Sequence, residues 1–597
     1  MRQRTTFILL ALSLIQALTL SAADRARVHR ARAQFVTVSL SEAARELPAG
    51  SVINTPLAMW TWSDKQVYMP GENLTIRWTV RPNGDIYPYT IVAYVQNNQT
   101  GVKTYLPGGE DATDIFGNTP DDGFLITRPP AAEKAVLAGA GGMFPAVAIP
   151  NQPGMHTVVV QLRDYTGNRI VKAAYWKFNV VTGIEVLPNT ITTDLTLTND
   201  KQWNLAGAVI VKDGAILTIE PGTVIIGQPG SQPPSVLIIG NTGRLMAAGT
   251  RSRPIIFTSS LPYGQRRAGD WGGVVSLGKA PVNWPQGVGN IEGLPPDPST
   301  SYGGDDPEHD CGTMRFVRLE FSGAELRPND EINSFTWGGC GAQTDASFLQ
   351  AHYGLDDSFE WFGGNNDLMY GFSSYPRDDH FDGQIGWGGR VQFGVALSNL
   401  NNSNRGIEMD NNENDFGAQP RGIPTFYNMT FVGVGDTFTE GVDEGAVAGM
   451  YLRRGAAGHY NNFVIYNWVD RAIELQHDET LANGATGDLT LNGMLWWLNG
   501  VASGAPNTVA GQVSENAVPL VNTQPNIMVG DPLLRRPFEY GDPDFRPQVG
   551  SPVYRANWVQ PPDDGFFNQF ASYSGAFGDV NWLEEWSMPT QEEDLAP

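Results

Sequence analysis

Short runs of β-branched and aliphatic residues, each closed by glycine, aspartate or proline, dominate residues 207–258. The runs lie at residues 209–211, 216–219, 224–226, 236–239, 245–247 and 255–258. Such runs are typical of β-strands separated by turns. The segment never keeps the i, i+3, i+4, i+7 spacing of an amphipathic helix. The pattern predicts an all-β fold, built as a sandwich, a barrel or a solenoid.

A repeat of coil length favours the solenoid. The sequence DDSFE at residues 356–360 recurs as DDHFD at residues 378–382, an offset of 22 residues. This offset suits one turn of a three-sided parallel β-helix. Because side chains alternate along a strand, Phe359 and Phe381 should point into the core from neighbouring coils. We therefore predict a right-handed parallel β-helix over residues 184–557.

The chain on either side of the β-helix has a different pattern. Residues 51–183 contain longer alternating segments, such as YTIVAYVQNN and AAYWKFNVV, with turn residues between them. This alternation predicts an immunoglobulin-like β-sandwich. Residues 558–597 are rich in aromatic side chains. Because a parallel solenoid needs its last edge covered, we expect this tail to cap the final coil.

The first residues predict export. Arg2 and Arg4 precede an apolar core at residues 7–20, and small residues follow at 21–23. This order is that of a signal peptide, cleaved after residue 23. The core is shorter than the ~20 apolar residues of a membrane span. We expect residues 24–50 to be a linker and the mature protein to be secreted or at the outer cell surface, without a transmembrane span.

Two features of the composition narrow the possible partners. The net charge is −24 at pH 7, which argues against nucleic acid because phosphate binding depends on Lys and Arg. The two cysteines, Cys311 and Cys340, fit a disulfide between neighbouring coils of an exported protein, and two buried free thiols are the alternative. A metal site on these cysteines lacks the usual CxxC spacing.

Several long blocks carry a resemblance to a known group of proteins. They include VKDGAILTIEPGTVIIG, GDWGGVVSLGKAPVN, YGGDDPEHDCGTMRFVRLEFSGAEL and DDSFEWFGG, and they occur in order between about residues 190 and 586. The chain resembles the secreted right-handed parallel β-helix proteins of Gram-negative bacteria. The resemblance implies a β-helix exposed at the cell surface or released. It implies no catalytic residue, because no activity is attached to a motif of that family.

The middle of the chain is acidic and predicts a cation site. Residues 354–444 contain fifteen Asp or Glu and four Arg. Stacked turns at ~4.8 Å would bring carboxylates together, and such groups repel one another unless cations or arginines compensate. Calcium fits, because it takes six to eight oxygen ligands. The candidate ligands are Asp356, Asp357, Asp378, Asp379 and Asp382. Solvated turns without an ion, or ion pairs with Arg377, Arg390 and Arg405, are the alternatives.

Aromatic residues lie among these acids. Trp387, within the glycine-rich GWGGR, and Arg390 are the candidate ligand-binding residues. An exposed indole offers an apolar face to a sugar ring, and arginine bonds to its hydroxyls. The alternative is that these rings fill the core of the coils.

Two functions follow from these patterns. The first is a non-catalytic module that binds an extracellular glycan or a surface protein and is stabilised by calcium. The second is a calcium-dependent polysaccharide lyase or glycoside hydrolase, with Asp379, Asp382, Arg390 and Arg405 in catalytic roles. The GxSxG, HExxH and phosphate-loop motifs are missing from the sequence. An open groove beside Arg390 and Arg405 would favour the enzyme, whereas buried ion pairs would favour the binding module.

Overall fold

The chain contains an N-terminal region of mostly antiparallel strands, followed by a long stack of short parallel strands. The computed structural model describes residues 58–81, 89–106, 124–126, 140–143, 146–164, 170–231, 233–294, 297–327, 330–398, 403–435, 447–501, 504–524, 526–555 and 558–588. The predicted signal peptide and linker at residues 1–50 lie outside these ranges. Within them, no helix has the length and apolar character needed to cross a membrane.

The described N-terminal strands build two larger sheets around one core, and a small third sheet. They are β1 (Ala58–Ser63), β2 (Val67–Tyr68), β3 (Asn73–Leu74), β4 (Ile76–Arg81), β5 (Tyr89–Asn97), β6 (Lys103–Tyr105), β7 (Phe124–Ile126), β8 (Ala140–Met143), β9 (Val147–Ala148), β10 (Gly154–Asp164) and β11 (Ile170–Val180). Strands β3 and β9 pair as the small sheet. One larger sheet has the order β1–β4–β8, and the other has the order β2–β11–β10–β5–β6 with β7 beside β5. Trp60, Ile76, Val158 and Phe178 pack together between them. The immunoglobulin-like topology stays a prediction.

Most strands after residue 183 are two to five residues long, as the spacing of turn residues predicts. They are β12 (Ile184–Val186), β13 (Thr190–Ile191), β14 (Leu195–Leu197), β15 (Gln202–Leu205), β16 (Ala208–Val211), β17 (Ile216–Ile219), β18 (Val224–Gly227), β19 (Val236–Ile239), β20 (Arg244–Ala248), β21 (Ile255–Ser259), β22 (Val274–Leu277), β23 (Gly289–Asn290), β24 (Ser301–Tyr302), β25 (Gly312–Glu320), β26 (Glu325–Arg327), β27 (Asp330–Glu331), β28 (Phe335–Gly338), β29 (Asp345–His352), β30 (Phe359–Phe362), β31 (Leu368–Ser374), β32 (Phe381–Gln384), β33 (Arg390–Leu397), β34 (Ile407–Met409), β35 (Thr425–Val432), β36 (Ala448–Leu452), β37 (Gly458–Tyr466), β38 (Arg471–Leu475), β39 (Leu489–Asn492), β40 (Met494–Trp497), β41 (Ile527–Val529), β42 (Leu534–Arg536) and β43 (Asp544–Pro547). The α-helices of the described chain are Asp478–Thr486 and Val518–Thr523.

Two long parallel sheets form the β-helix. The ten-stranded sheet has the order β13–β16–β19–β22–β28–β30–β32–β34–β36–β38. The larger sheet runs β12–β15–β18–β21–β25–β29–β31–β33–β35–β37–β40–β41, with β14, β17, β20 and β39 paired beside it. Phe359 lies opposite Phe381 in the next coil, and their ring centroids are 5.2 Å apart. The predicted parallel β-helix and its repeat are confirmed.

The longer strands of the larger sheet bend at an aromatic residue. Phe316, Phe348, Tyr370 and Phe393 have φ values of 49°, 53°, 64° and 62°, which bulky residues rarely adopt. Strain of this kind costs about 1–3 kcal/mol per residue. The four rings stack at successive centroid distances of 4.3, 4.3 and 4.8 Å, which offsets part of that cost. We call these four residues the aromatic stack.

The C-terminal tail, residues 558–588, lies along the flank of the larger sheet. Asn462 Nδ2 donates to the Val559 carbonyl at 2.8 Å, and Gln350 Nε2 donates to the Met588 carbonyl at 2.8 Å. The expected cap over the final coil was therefore wrong for the tail. Its Trp586 packs edge-on against Phe316 of the aromatic stack. At the end of the core, Ala517, Leu520 and Val521 cover the last coils.

Parallel pairing ends before the predicted boundary at residue 557. The last parallel strand is β41, and β42 and β43 form an antiparallel hairpin. Pro532, Pro537, Pro543 and Pro547 occur in this segment. Proline lacks the N–H donor that a further central strand requires.

Upstream, the predicted disulfide between Cys311 and Cys340 is present, with the two Cα atoms 5.8 Å apart.

Candidate functional site

A column of carboxylates follows the outer face of the ten-stranded sheet. Glu360 of β30 lies opposite Asp382 of β32, and Asp382 lies opposite Glu408 of β34. Parallel strands are about 4.8 Å apart, so acids at one register position are forced close together. These three residues are only 5%, 9% and 5% exposed. We call them the acidic column.

The turns before these strands add the predicted aspartates. Asp357 Oδ1 accepts the Asp379 N–H at 2.9 Å, and Asp379 Oδ1 accepts the Arg405 N–H at 2.7 Å. Asp357 and Asp379 are buried, whereas the Asp378 side chain is 45% exposed. These side chains thus tie one coil to the next as well as contributing charge.

The predicted metal ligands come together, and two glutamates join them. Within the described residues, carboxylate oxygens lie within 4.8 Å of one another in three groups. The groups are Asp356, Asp357 and Asp378; Asp357, Glu360 and Asp382; and Asp379, Asp382 and Glu408. Glu360 and Glu408 are absent from the predicted ligand set. Glu360 could have been found, because it occupies the position of Asp382 in the repeated pentapeptide.

Arginines compensate part of this negative charge. Arg405 Nη1 lies 3.3 Å from Glu408 Oε2 and 3.8 Å from Asp379 Oδ2. Arg453 contacts Glu408 and Asp410, and Arg454 Nη1 lies 2.9 Å from Asp410 Oδ2. The acids outnumber these arginines. The acids of this region are Asp356, Asp357, Glu360, Asp378, Asp379, Asp382, Glu408 and Asp410.

Burial and mutual repulsion change how these acids ionise. Burial, then the neighbouring Glu360 and Glu408, raise the pKa of Asp382 well above its usual range. Burial likewise raises the pKa of Glu408 to about 7, although Arg405 and Arg453 oppose this shift. One oxygen of Asp382, Oδ1, is buried and has no hydrogen-bond partner among the described residues. The arrangement suits either bound protons or a bound cation.

Trp387 was wrongly predicted as a ligand platform. The residue is 1% exposed, and its ring stacks on Trp361 with centroids 4.3 Å apart. Gly383 lies opposite Trp361 in the next coil, at a position that faces the core. Because glycine has no side chain, this position in the core is left empty. A Cβ at Gly383 would come within 2.9 Å of the Trp387 ring. Trp387 therefore fills the core space that this glycine leaves, which is the alternative weighed from the sequence.

Arg390 was also wrongly placed beside the acids. It begins β33 of the larger sheet and pairs with Asp367 Oδ2 at 2.5 Å and Asp564 Oδ2 at 2.8 Å. Its guanidinium also lies over the ring of Phe566, 4.7 Å from the centroid. Asp564 and Phe566 belong to the tail. Arg390 thus holds the tail, and neither the ligand-binding role nor the catalytic one fits this position.

The remaining residues of the enzyme hypothesis are together but enclosed. Asp379, Asp382 and Arg405 are 3%, 9% and 5% exposed. A catalytic base and a carboxylate must reach the substrate, within hydrogen-bond distance or through one water. Here the arginine points at protein carboxylates. Arg405 is therefore buried in ion pairs, which is the arrangement expected of the binding module, and it does not line an open groove.

Comparison with known proteins agrees with this fold. The profile of the pectate-lyase-like β-helix domain matches residues 189–524, more than half of the chain. The chain belongs to this family. No curated protein and no solved structure matches it significantly. Family membership establishes the parallel β-helix, whereas activity has to be argued from the site.

Proposed function

We propose that this pectate-lyase-like β-helix protein is exported and acts as a non-catalytic module that binds an extracellular glycan or a surface protein. Calcium bound at the acidic column stabilises the β-helix. The proposal includes a right-handed helix of the secreted Gram-negative kind and an immunoglobulin-like N-terminal sandwich. The amino-terminal signal sequence supports export.

The observation that carries the calcium proposal is the environment of Asp382. This side chain is 9% exposed, and its Oδ1 has no hydrogen-bond partner within the described chain. One carboxylate oxygen each of Asp379, Asp382 and Glu408 lie within 4.8 Å of one another. A buried charge without a partner is costly. Calcium binds such oxygens at 2.3–2.6 Å with flexible geometry, so a modest movement of these carboxylates would complete a site.

The enclosure of Arg405 supports a binding module over a lyase. A lyase would need an arginine or lysine free to take a proton from the sugar. Arg405 instead contacts Asp379 and Glu408, and its side chain is 6% exposed. Arg390 is bound to Asp367 and the tail. Neither arginine is available beside the acidic column.

Calorimetric titration of the calcium-stripped protein tests the cation. We expect the wild type to bind calcium and Asp382→Asn to bind it at least about tenfold more weakly, because even residues behind metal ligands change affinity about 10–100-fold. Asp305→Asn is the matched control, since Asp305 is exposed and outside the candidate groups. Equal affinities in wild type and Asp382→Asn would contradict the site.

A glycan array with and without calcium tests the binding module, and an assay for unsaturated products from polygalacturonate tests the enzyme alternative. We expect glycan or surface-protein binding and no calcium-dependent product. Product formation that disappears in Arg405→Ala would establish the lyase alternative instead.

A further inference from the structure

A cavity of about 190 Å³ lies where the N-terminal sheets, the β42–β43 hairpin and the tail meet. It is far from the acidic column in the sequence and shares no residue with it. Its lining combines aromatic, cationic and anionic side chains. Those that the argument uses are Trp60, Lys172, Tyr175, Asp542, Arg546 and Glu584.

One wall of this cavity is an edge of β11 that, apart from β2 at its end, no described strand pairs with. Strand β2 pairs with β11 only at Asn179 and Val180, and the lining runs along residues 170–176 of β11. Two polar contacts hold the opposite wall in place. Lys172 Nζ lies 2.6 Å from Asp542 Oδ2, and the same carboxylate oxygen accepts the Met59 N–H at 3.2 Å. The cavity is therefore a product of the folded arrangement of all three parts.

Two polar groups of the lining are open to a ligand, although the charges of Lys172 and Arg546 lie near one of them, Glu584. The Glu584 carboxylate makes no hydrogen bond or ion pair with the residues that the structure describes, and neither does the Tyr175 hydroxyl. Glu584 is exposed, yet the surrounding protein raises its pKa by desolvation. Glu584 and Tyr175 both line the cavity. The negative charges of Glu584 and Glu585 also raise the pKa of Tyr175, after burial.

We propose that this cavity binds one sugar ring, and the proposal rests on the glycan-binding function proposed above. Hydroxyls of the sugar donate to Glu584 and exchange hydrogen bonds with Tyr175. Lys172 supplies a donor beside its ion pair with Asp542. The apolar part of the lining, which includes Ile170, Leu583 and an edge of the buried Trp60, contacts the C–H face of the ring. This mixture of donors, acceptors and an aromatic side chain matches the alternating polar and apolar surface of a sugar.

Size and charge argue against two other occupants. Pockets for drug-sized ligands occupy about 300–1,000 Å³, so a cavity of about 190 Å³ is too small for an extended peptide. A small organic cation would meet Glu584 but also Lys172 and Arg546, which both contribute positive charge beside that carboxylate. A neutral ring avoids this repulsion.

Binding of single sugars to the full-length protein tests the site. Galactose, glucose, N-acetylglucosamine and galacturonate are titrated by saturation-transfer NMR and calorimetry, with choline as the organic-cation probe. We expect a sugar to bind the wild type, and Glu584→Gln and Tyr175→Phe each to weaken binding at least about tenfold, because the first replaces a charged acceptor by a neutral one and the second removes a hydroxyl. Glu515→Gln, on an exposed glutamate elsewhere, should bind as the wild type does.

Melting temperatures of the variants separate lost binding from lost folding, and unchanged values are expected. Asp382→Asn should retain sugar binding, because it alters only the acidic column. Binding of choline without any sugar overturns the proposal. Glycan binding that is equal in Glu584→Gln, Tyr175→Phe and the wild type also overturns it, while leaving the proposed function intact. A protein that binds no glycan at all refutes both.

Discussion

A rise in pH should destabilise the folded protein through the acidic column, and bound calcium should stabilise it. The pKa of Glu408 is raised from its ordinary value of 4.5 to about 7, so the folded protein keeps a proton that the unfolded chain has released. Because the folded state then binds more protons, stability falls as the pH rises through this window. A pKa difference of one corresponds to about 1.4 kcal/mol. A shift of this size, shared between Glu408 and the acids that titrate with it, makes the calcium-free protein less stable at pH 8 than at pH 4 by on the order of 3 kcal/mol.

Calcium should cancel this loss because it replaces the proton. Its carboxylate ligands bind in the ionised form, so calcium affinity rises with pH. A cation that binds only the folded state stabilises it by about 2.7 kcal/mol at a hundredfold excess over Kd. We therefore expect a small calcium effect at pH 4.5 and an effect of about 2–3 kcal/mol at pH 8. The assay is denaturant unfolding of stripped protein by tryptophan fluorescence, with and without added calcium.

The variant Asp382→Asn separates the contribution of the acidic column to the pH dependence of stability from that of the other carboxylates. Other carboxylates oppose the trend, since hydrogen bonds and cations hold the pKa of Asp297 and Asp544 at about 2. Comparison of wild type with Asp382→Asn removes their contribution. In calcium-free buffer the variant should be more stable than the wild type at pH 8 and lose its calcium response. If the two proteins follow the same pH profile, Arg405 and Arg453 already neutralise the column and the reasoning fails.

Three further predictions concern packing. Trp387→Ala should lower the free energy of unfolding by about 3–5 kcal/mol in chemical denaturation, because it empties a buried ring position; a change below 1 kcal/mol would contradict its place in the core. Thiol labelling of the denatured, non-reduced protein should detect no free thiol, since Cys311 and Cys340 are bonded; two labelled cysteines would refute the disulfide. Arg390→Ala should speed proteolysis within the tail while Arg377→Ala, an exposed arginine, should not; equal rates would show that the pairing with Asp564 does not hold the tail.

The coil repeat could be predicted because it depends on local signals. Glycine and aspartate turns fix the strand ends, and alternation fixes which side chains enter the core. Phe359 and Phe381 illustrate this, since their positions in a repeated pentapeptide determine the register that the structure has. The same register predicts that Glu360 and Asp382 lie in one column. A strict reading of the repeat would have added Glu360 to the metal ligands.

The burial of the site could not be predicted, because it depends on chain distant in sequence. Asn283 donates through Nδ2 to Asn411 Oδ1, which brings two remote loops together. Asn333 donates to Glu360, as does Gln384 at 2.8 Å. Acids at turns are expected to be exposed to solvent. In this protein, contacts from other coils and loops bury them instead. The error over Trp387 has the same origin, since the space left by Gly383 appears only when coils are stacked.

The tail shows how these long-range contacts serve more than one purpose. Trp586 packs against the strained aromatic stack, and Asp564 forms an ion pair with Arg390. Two residues before Trp586, Glu584 contributes a carboxylate to the lining of the cavity, and Glu585 Oε1 lies 3.3 Å from Nζ of the buried Lys177 of the N-terminal sheets. A segment that stabilises the flank of the β-helix thereby also fixes the position of the N-terminal region against it. The cavity can exist only when the tail is docked, so any change that releases the tail should remove sugar binding while leaving the acidic column and its response to calcium in place.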